Sequence, residues 1–312
     1  MTISELYKSW AGTDATTIQK LPGAGSNRVY YRLTDAEGHS VIGVEGKLAE
    51  ENGAFIALSK HFASRGINVP QVLCVSPDSM TYIQQDLGGR SLYDALKDGR
   101  TSGYTEHHKQ LLKRVMAELP RIQYEGAKGL DWNICSPIKQ MDKRSVMFDL
   151  NYFKYYYLKT SGLEFDEMQL QLDFEHFAED LVDDSVETFQ YRDFQARNIM
   201  LDDNDEPWFI DFQGGRRGNA IYDLVSFLWQ ASARYPEELK QELIAEYLNH
   251  CPSVPSDFEE TLKRMVLFRT MQVLGAYGFR GNIEKKPHFI ESIPPALDNL
   301  KGILAADAAL SY

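Results

Sequence analysis

Two acids and an amide in the middle of this chain stand at a spacing suited to moving a phosphoryl group. Asp193 and Asn198 lie in Tyr191-Arg192-Asp193-Phe194-Gln195-Ala196-Arg197-Asn198, and Asp211 lies in Trp208-Phe209-Ile210-Asp211-Phe212-Gln213. Phosphoryl transfer asks little covalent work of a protein. It needs a positioned hydroxyl and neutralised phosphate charge. A carboxylate at Asp193 would accept a hydrogen bond from an attacking hydroxyl and aim it at phosphorus. Asn198 offers a neutral oxygen and Asp211 an anionic one, the donor types a magnesium ion prefers. Each residue also has a plain reading, an Asx turn at 193–198 and a strand end at Asp211. The joint pattern favours the chemical reading.

The local pattern would bring these residues together. Residues 199–201 and 208–210 are short apolar runs around the turn-rich Asp202-Asp203-Asn204-Asp205, a hairpin signal that puts Asn198 and Asp211 side by side. Upstream, residues 29–33, 40–44, 72–75 and 80–84 read as strands, and Asp35-Ala36-Glu37-Gly38 marks a hairpin. Apolar residues recur at helical spacing over 48–65, and 1–20 reads as a lead-in helix. After Asp86-Leu87-Gly88-Gly89, helical periodicity covers about 91–98, 105–124, 143–159, 167–189, 222–231, 236–249, 256–280 and 286–306. The expected fold is α+β and two-lobed. Residues 1–86 would form a small antiparallel sheet with one helix, and 87–312 a mainly helical lobe containing the catalytic hairpin.

The Arg192-Asp193-x4-Asn198 and Asp211-Phe212 blocks resemble the protein-kinase signature, with Tyr191 in place of its His and Gln213 in place of its last Gly. Together with Tyr222-Asp223-Leu224-Val225-Ser226 and the lead Gly25-Ser26-Asn27-Arg28-Val29-Tyr30-Tyr31-Arg32, they resemble the aminoglycoside phosphotransferase and choline kinase-like superfamily, whose fold is protein-kinase-like. Within it the chain is similar to bacterial cell-wall amino-sugar kinases that act on N-acetylmuramate or N-acetylglucosamine. The resemblance implies ATP or GTP as co-substrate, Mg2+ as cofactor and a small sugar-like acceptor. It makes Asp193 the catalytic Asp, with Arg197 near the transferred phosphate or bracing the loop by a salt bridge. Asn198 and Asp211 become the metal ligands. Gly23, Gly25, Ser26, Asn27 and Arg28 would form the loop over the phosphates, or a plain hairpin turn. Gln85, Asp86 and Leu87 would be the hinge whose backbone meets the base.

The chain departs from kinases in the strand Val41-Ile42-Gly43-Val44-Glu45, which has no Lys for the phosphates. Lys47 with Glu51 would replace that pair, or Arg28 or Arg32 would serve. Gln195 stands where the sugar kinases have His, which bears on the acceptor more than on the reaction. Gly214-Gly215-Arg216-Arg217-Gly218 reads as a flexible basic loop, either solvated or attracting an anionic acceptor. Asp223 is either a helix N-cap or a brace for the catalytic loop. The aromatic run from Tyr152 to Tyr157, with Phe174 and Phe177, is core or a sugar-stacking face.

Composition sets outer bounds. The chain has 312 residues, 43% hydrophobic and 25% charged, enough for a packed core. A net charge of −12 disfavours nucleic acid as a partner. Cys74, Cys135 and Cys251 have no metal-ligand spacing and read as free or buried thiols of a reducing compartment. With no apolar leader and no run long enough for a membrane span, a cytoplasmic protein is expected. Other acceptors of the same superfamily (an aminoglycoside, choline, a homoserine-like metabolite or a protein) remain open, as does a pseudokinase without turnover.

Overall fold

The structure, a computed structural model, describes residues 1–22 and 28–306. Helix α1 (Ile3–Ala11) opens with a capping box between Thr2 and Glu5 and closes on Gly12, at φ +76°. The lead-in helix expected over 1–20 therefore ends early. Thr17–Lys20 form the exposed edge strand β1, because the left-handed glycine ends the helix and the β-branched Thr16, Thr17 and Ile18 favour extended backbone. Strands β2 (Val29–Thr34) and β3 (Ser40–Glu45), helix α2 (Ala49–Ser64) and strands β4 (Val72–Val75) and β5 (Thr81–Gln85) follow. The five strands pair antiparallel in the order β1-β2-β3-β5-β4.

Strand alternation paves both faces of this sheet. Ile42, Val44 and Tyr82 point to the main core with Phe55, Leu58 and Phe62 of α2. Leu33 and Ile83 face Ile3, Leu6 and Tyr7 of α1. Gly43 makes the second contact possible, since a Cβ there would sit 2.4 Å from the Ile3 side chain. Each fully buried Phe or Leu contributes roughly 1.5–3 kcal/mol relative to exposure.

Beyond Gly88 the chain is mainly helical, through α3 (Leu92–Ala95), α4 (Gly99–Ser102), α5 (Glu106–Pro120), α6 (Lys143–Phe153), α7 (Glu167–Leu181), α8 (Ile221–Leu228), α9 (Glu237–His250), α10 (Phe258–Tyr277) and α11 (Pro287–Ala306). Helices α5, α6 and α10 run on into wider π turns, which accounts for the longer spans read from periodicity. The helix expected over 167–189 stops at Leu181, with Val182 extended. Within this region β6 (Phe189–Gln190) pairs with β9 (Arg216–Arg217), and β7 (Ile199–Leu201) with β8 (Pro207–Phe209), the latter being the expected hairpin.

The β6–β9 pairing corrects the reading of 214–218 as a flexible basic loop. Arg216 is only 3% exposed, and a Cβ on Gly215 would sit 2.0 Å from the Phe189 ring. Arg217 is tied to Glu187 at 2.9 Å and to Gln140. Gly215 and Gly218 serve close packing, not motion. The three cysteines are free, and burial pushes the Cys135 thiol up to about 11. No helix among the described residues is long and apolar enough to cross a membrane.

Candidate functional site

The loop between β6 and β7 is pinned from beneath. Asp223, fully buried in the first turn of α8, accepts the backbone N–H of Tyr191 at 2.7 Å and of Arg192 at 2.9 Å. The Gln123 side-chain amide donates to the same carboxylate at 3.1 Å. Ala220 occupies the N-cap position of α8, so of the two readings of Asp223 the geometry has the brace. Burial pushes its carboxyl up to about 7, against the pull of these hydrogen bonds. Tyr191, in place of a kinase His, is buried, donates its hydroxyl to the Ile210 carbonyl and meets Phe194 edge-on at 5.3 Å. Arg192 and Asp211 both adopt positive φ, at 76° and 67°. That left-handed backbone carries strain of about 1–2 kcal/mol for residues other than glycine.

On this frame the three sequence-selected residues meet. Asp193 is exposed to solvent. The Asn198 side-chain amide donates to the Asp193 carbonyl at 2.9 Å and to Asp211 Oδ2 at 3.3 Å. Gln213 donates to Asp211 Oδ1 at 2.8 Å. Burial of the Asp211 carboxyl pushes its proton affinity up against the Gln213 bond, and the charge of Asp193 adds to the push. Such a carboxylate gains by meeting a cation. Asn198 Oδ1 and Asp211 give a hard, all-oxygen donor set, and the buried Gln213 Oε1 beside them has no hydrogen-bond partner among the described residues. These groups fit a divalent ion such as Mg2+.

Two cavities flank this point. The first, about 310 Å3, lies between sheet and helices and is lined by Leu21, Ile42, Phe55, Tyr82, Met200 and the expected hinge residues Gln85, Asp86 and Leu87, with Asn198 and Asp211 at one end. Its apolar walls and polar end suit a nucleotide. The Asp86 side chain is structural. Arg32 donates to it at 2.6 and 3.0 Å, Ser40 at 2.7 Å and the Gly88 N–H at 2.9 Å. Against the upward push of burial, those bonds hold its carboxyl below its ordinary value. Gln84 Oε1, buried against this cleft, has no hydrogen-bond partner among the described residues. Arg197 also lines the cleft, its guanidinium 4.1 Å from the Tyr93 ring centroid, a cation–π contact and not the salt bridge that was the plain alternative.

The strand that lacks a lysine is followed by a helix whose Glu51 pairs with an arginine instead. Arg28, at the foot of β2, reaches α2, where its guanidinium lies 3.4 Å from the Glu51 carboxylate and donates to the Glu51 carbonyl at 3.1 Å. It also lies 5.7 Å from the Phe55 ring centroid. Asp211 feels the charges of both Arg28 and Glu51. Lys47 is exposed beyond β3 and does not line the cleft, so of the basic residues weighed for this place Arg28 is the one the geometry pairs with Glu51, while Arg32 is committed to Asp86. Gly23, Gly25, Ser26 and Asn27 lie outside the described residues.

The second cavity, about 360 Å3, has Asp193 on its wall and is lined also by Phe148, Asp149, Tyr152, Arg192, Arg269 and Gln272. The two cavities share Gln195, the first lined by Asn198 and Asp211 and the second by Asp193.

Residues 17–259 of the sequence match the phosphotransferase enzyme family, APH. The chain belongs to that family. It is similar to the N-acetylmuramate/N-acetylglucosamine kinase of Neisseria meningitidis serogroup B, 26% identical over 91% of this chain and 84% of that protein. It is also similar to the Pseudomonas putida protein of the same name, at 21% identity over 94% of this chain and 85% of the relative. Among solved structures, the amicoumacin kinase hAmiN in complex with AMP-PNP, Ca2+ and Ami superposes with a TM-score of 0.64 at 14% identity, covering 92% of this chain and 87% of the other. That likeness concerns the fold. The APH chain is a small-molecule kinase, a phosphotransferase with an alcohol group as acceptor and a nucleotide as co-substrate.

Within the APH frame, sequence reasoning missed Asp149, Arg269 and Gln272. They come from α6 and α10, far from the motif in sequence, and sit in ordinary helical periodicity. The aromatic run divides between roles. Phe153, Phe174 and Phe177 are core, whereas Tyr152 lines the second cavity.

Proposed function

We propose that this chain transfers the γ-phosphate of ATP (or GTP) to a hydroxyl of an amino sugar, with Mg2+. In this reading residues 1–86 form the nucleotide lobe and 87–312 the catalytic and acceptor lobe. Asp193 accepts the hydrogen bond of the attacking hydroxyl and orients it in line with phosphorus. Asn198 and Asp211 hold the magnesium ion, which when bound neutralises phosphate charge. Arg28, held by Glu51, grips phosphate oxygens in the place of the usual lysine, and Arg197 adds positive charge at the cleft mouth. Gln85, Asp86 and Leu87 present backbone groups to the base, and the loop from Gly23 to Asn27 covers the phosphates.

The observation that carries this reading is the position of Asp193, which is solvent-exposed, lines the second cavity and is hydrogen-bonded through its carbonyl to Asn198, which lines the first. The intact set Asp193, Asn198 and Asp211 argues against a pseudokinase. The amino-sugar acceptor rests on the two relatives of that name. The test is a coupled phosphorylation assay with ATP, magnesium and a panel of N-acetylmuramate, N-acetylglucosamine, choline and an aminoglycoside. Turnover of the amino sugars alone supports the reading. Turnover of a cationic acceptor and not of the sugars overturns the acceptor assignment.

A further inference from the structure

The second cavity is lined by two guanidinium groups and two carboxylates, with a third guanidinium behind it, and among the described residues only Arg192 of the three arginines has an ion-pair partner. Arg192 lines it and has one acidic partner, Asp149, at 3.2 and 3.4 Å. Asp149 is shared, since Gln272 donates to it at 2.6 Å. Arg269 lines the same cavity but donates to neutral oxygens, Tyr222 at 3.1 Å and Gln272 at 2.6 Å. Arg216 stands behind them, and among the described residues its Nε has no hydrogen-bond partner and its guanidinium reaches only the Gly214 carbonyl, at 3.5 Å. Burial first, then the charge of Arg192, pushes Arg216 down to about 10. Arg192 and Arg216 thus feel the carboxylates of Asp149 and Asp193, and Arg269 those of Asp193 and the buried Asp223, in a chain whose net charge is −12. The backbone adds a second sign. Arg192 sits at φ +76°, where glycine would be less strained, so the fold holds a guanidinium here at a conformational cost.

A buried cation without its counter-charge destabilises a fold, and an arriving anion relieves that. We propose that this cavity contains an anion-binding subsite, formed by Arg192 and Arg269 with Arg216 behind them, that takes a carboxylate or phosphate group on the acceptor. The inference rests on the kinase reading above and names the acceptor class, a sugar with an anionic substituent. Guanidinium forks suit both groups geometrically. Phe148 and Tyr152, stacked at 6.2 Å on the cavity wall, offer an apolar face to the sugar ring. With the anion anchored one residue from Asp193, the reacting hydroxyl is presented to the carboxylate. Because the anion does not react, its binding is uniform and is read in KM more than in kcat.

The first test does not depend on the sugar. Sulfate is titrated into the full-length protein saturated with magnesium and AMP-PNP, so that the triphosphate cleft is filled, with sodium chloride at matched ionic strength as control. A saturable rise in melting temperature is expected in the wild type, retained in Arg269→Lys and lost in Arg269→Gln and Arg192→Gln. No rise in the wild type, or an equal rise in all four proteins, overturns the subsite. Calorimetric titration then separates the sources, with N-acetylmuramate as the carboxylate, N-acetylglucosamine 6-phosphate as the phosphate and N-acetylglucosamine as the neutral sugar. One anionic sugar should bind at least tenfold more tightly than the neutral one, and Arg269→Gln should erase that preference. A sulfate response without sugar binding or turnover sinks the amino-sugar reading and leaves the subsite standing. Sugar turnover with neither anionic preference nor sulfate response sinks the subsite alone.

Discussion

Phe212, the residue after Asp211, stacks on Phe55 of α2 with ring centroids 4.8 Å apart and planes 12° from parallel. Phe62, two turns further along α2, meets Phe212 edge-on at 5.4 Å. Helix α2 also carries Glu51, the partner of Arg28. One aromatic cluster therefore joins the proposed metal ligand to the proposed phosphate grip. Movement of either would have to disturb this packing.

Truncating that link should cost both stability and nucleotide binding. Phe212→Ala is expected to destabilise the fold by about 3–5 kcal/mol, the usual range for an aromatic removed from a core. The milder Phe212→Leu should stay folded and raise the nucleotide KM more than the acceptor KM. Thermal melts and steady-state kinetics check both. An unchanged nucleotide KM in a folded Phe212→Leu protein would show that the cluster is packing alone.

Arg28 and Lys47 give a clean contrast. Arg28→Met should raise the nucleotide KM at least tenfold, and Glu51→Gln should move it in the same direction by a smaller factor, because the guanidinium loses its anchor. Lys47→Ala should change it less than twofold, since that side chain is exposed and does not line the cleft. The reverse order would return the phosphate grip to Lys47.

Asp223 predicts a pH signature. Its folded-state value of about 7 lies above the ordinary carboxylate value of 3.8, so the folded chain holds a proton that the unfolded chain releases. Its contribution to stability is full below about pH 4 and is lost as pH rises through about 7, at up to roughly 1.4 kcal/mol per unit. The stability gap between wild type and Asp223→Asn, read from urea melts, should narrow as pH rises across that window. A gap that widens over the same range would mean that Asp223 is ionised in the folded state.

The hairpin that brings Asn198 to Asp211 was legible because its cause is local. Two short apolar runs around Asp202-Asp203-Asn204-Asp205 suffice to specify it. Four of the five sheet strands and the main helices were legible for the same reason, periodicity against turn residues. The edge strand β1 was not, since its burial is slight and only pairing with β2 defines it. The β6–β9 pair was not, because a pair of glycines beside two arginines signals a loop. Only the Phe189 ring, which leaves no room for a side chain at Gly215, shows that glycine to be packed. Asp149, Arg269 and Gln272 reach the second cavity through tertiary packing of α6 against α10, which no local pattern encodes.

The most direct measurement compares Asp193→Asn with the wild type in single-turnover phosphorylation of N-acetylglucosamine, alongside calorimetric binding of magnesium AMP-PNP. The account predicts a rate lower by at least a thousandfold with nucleotide affinity unchanged within threefold, because the carboxylate orients the acceptor and does not hold the nucleotide. A rate within tenfold of the wild type would contradict it.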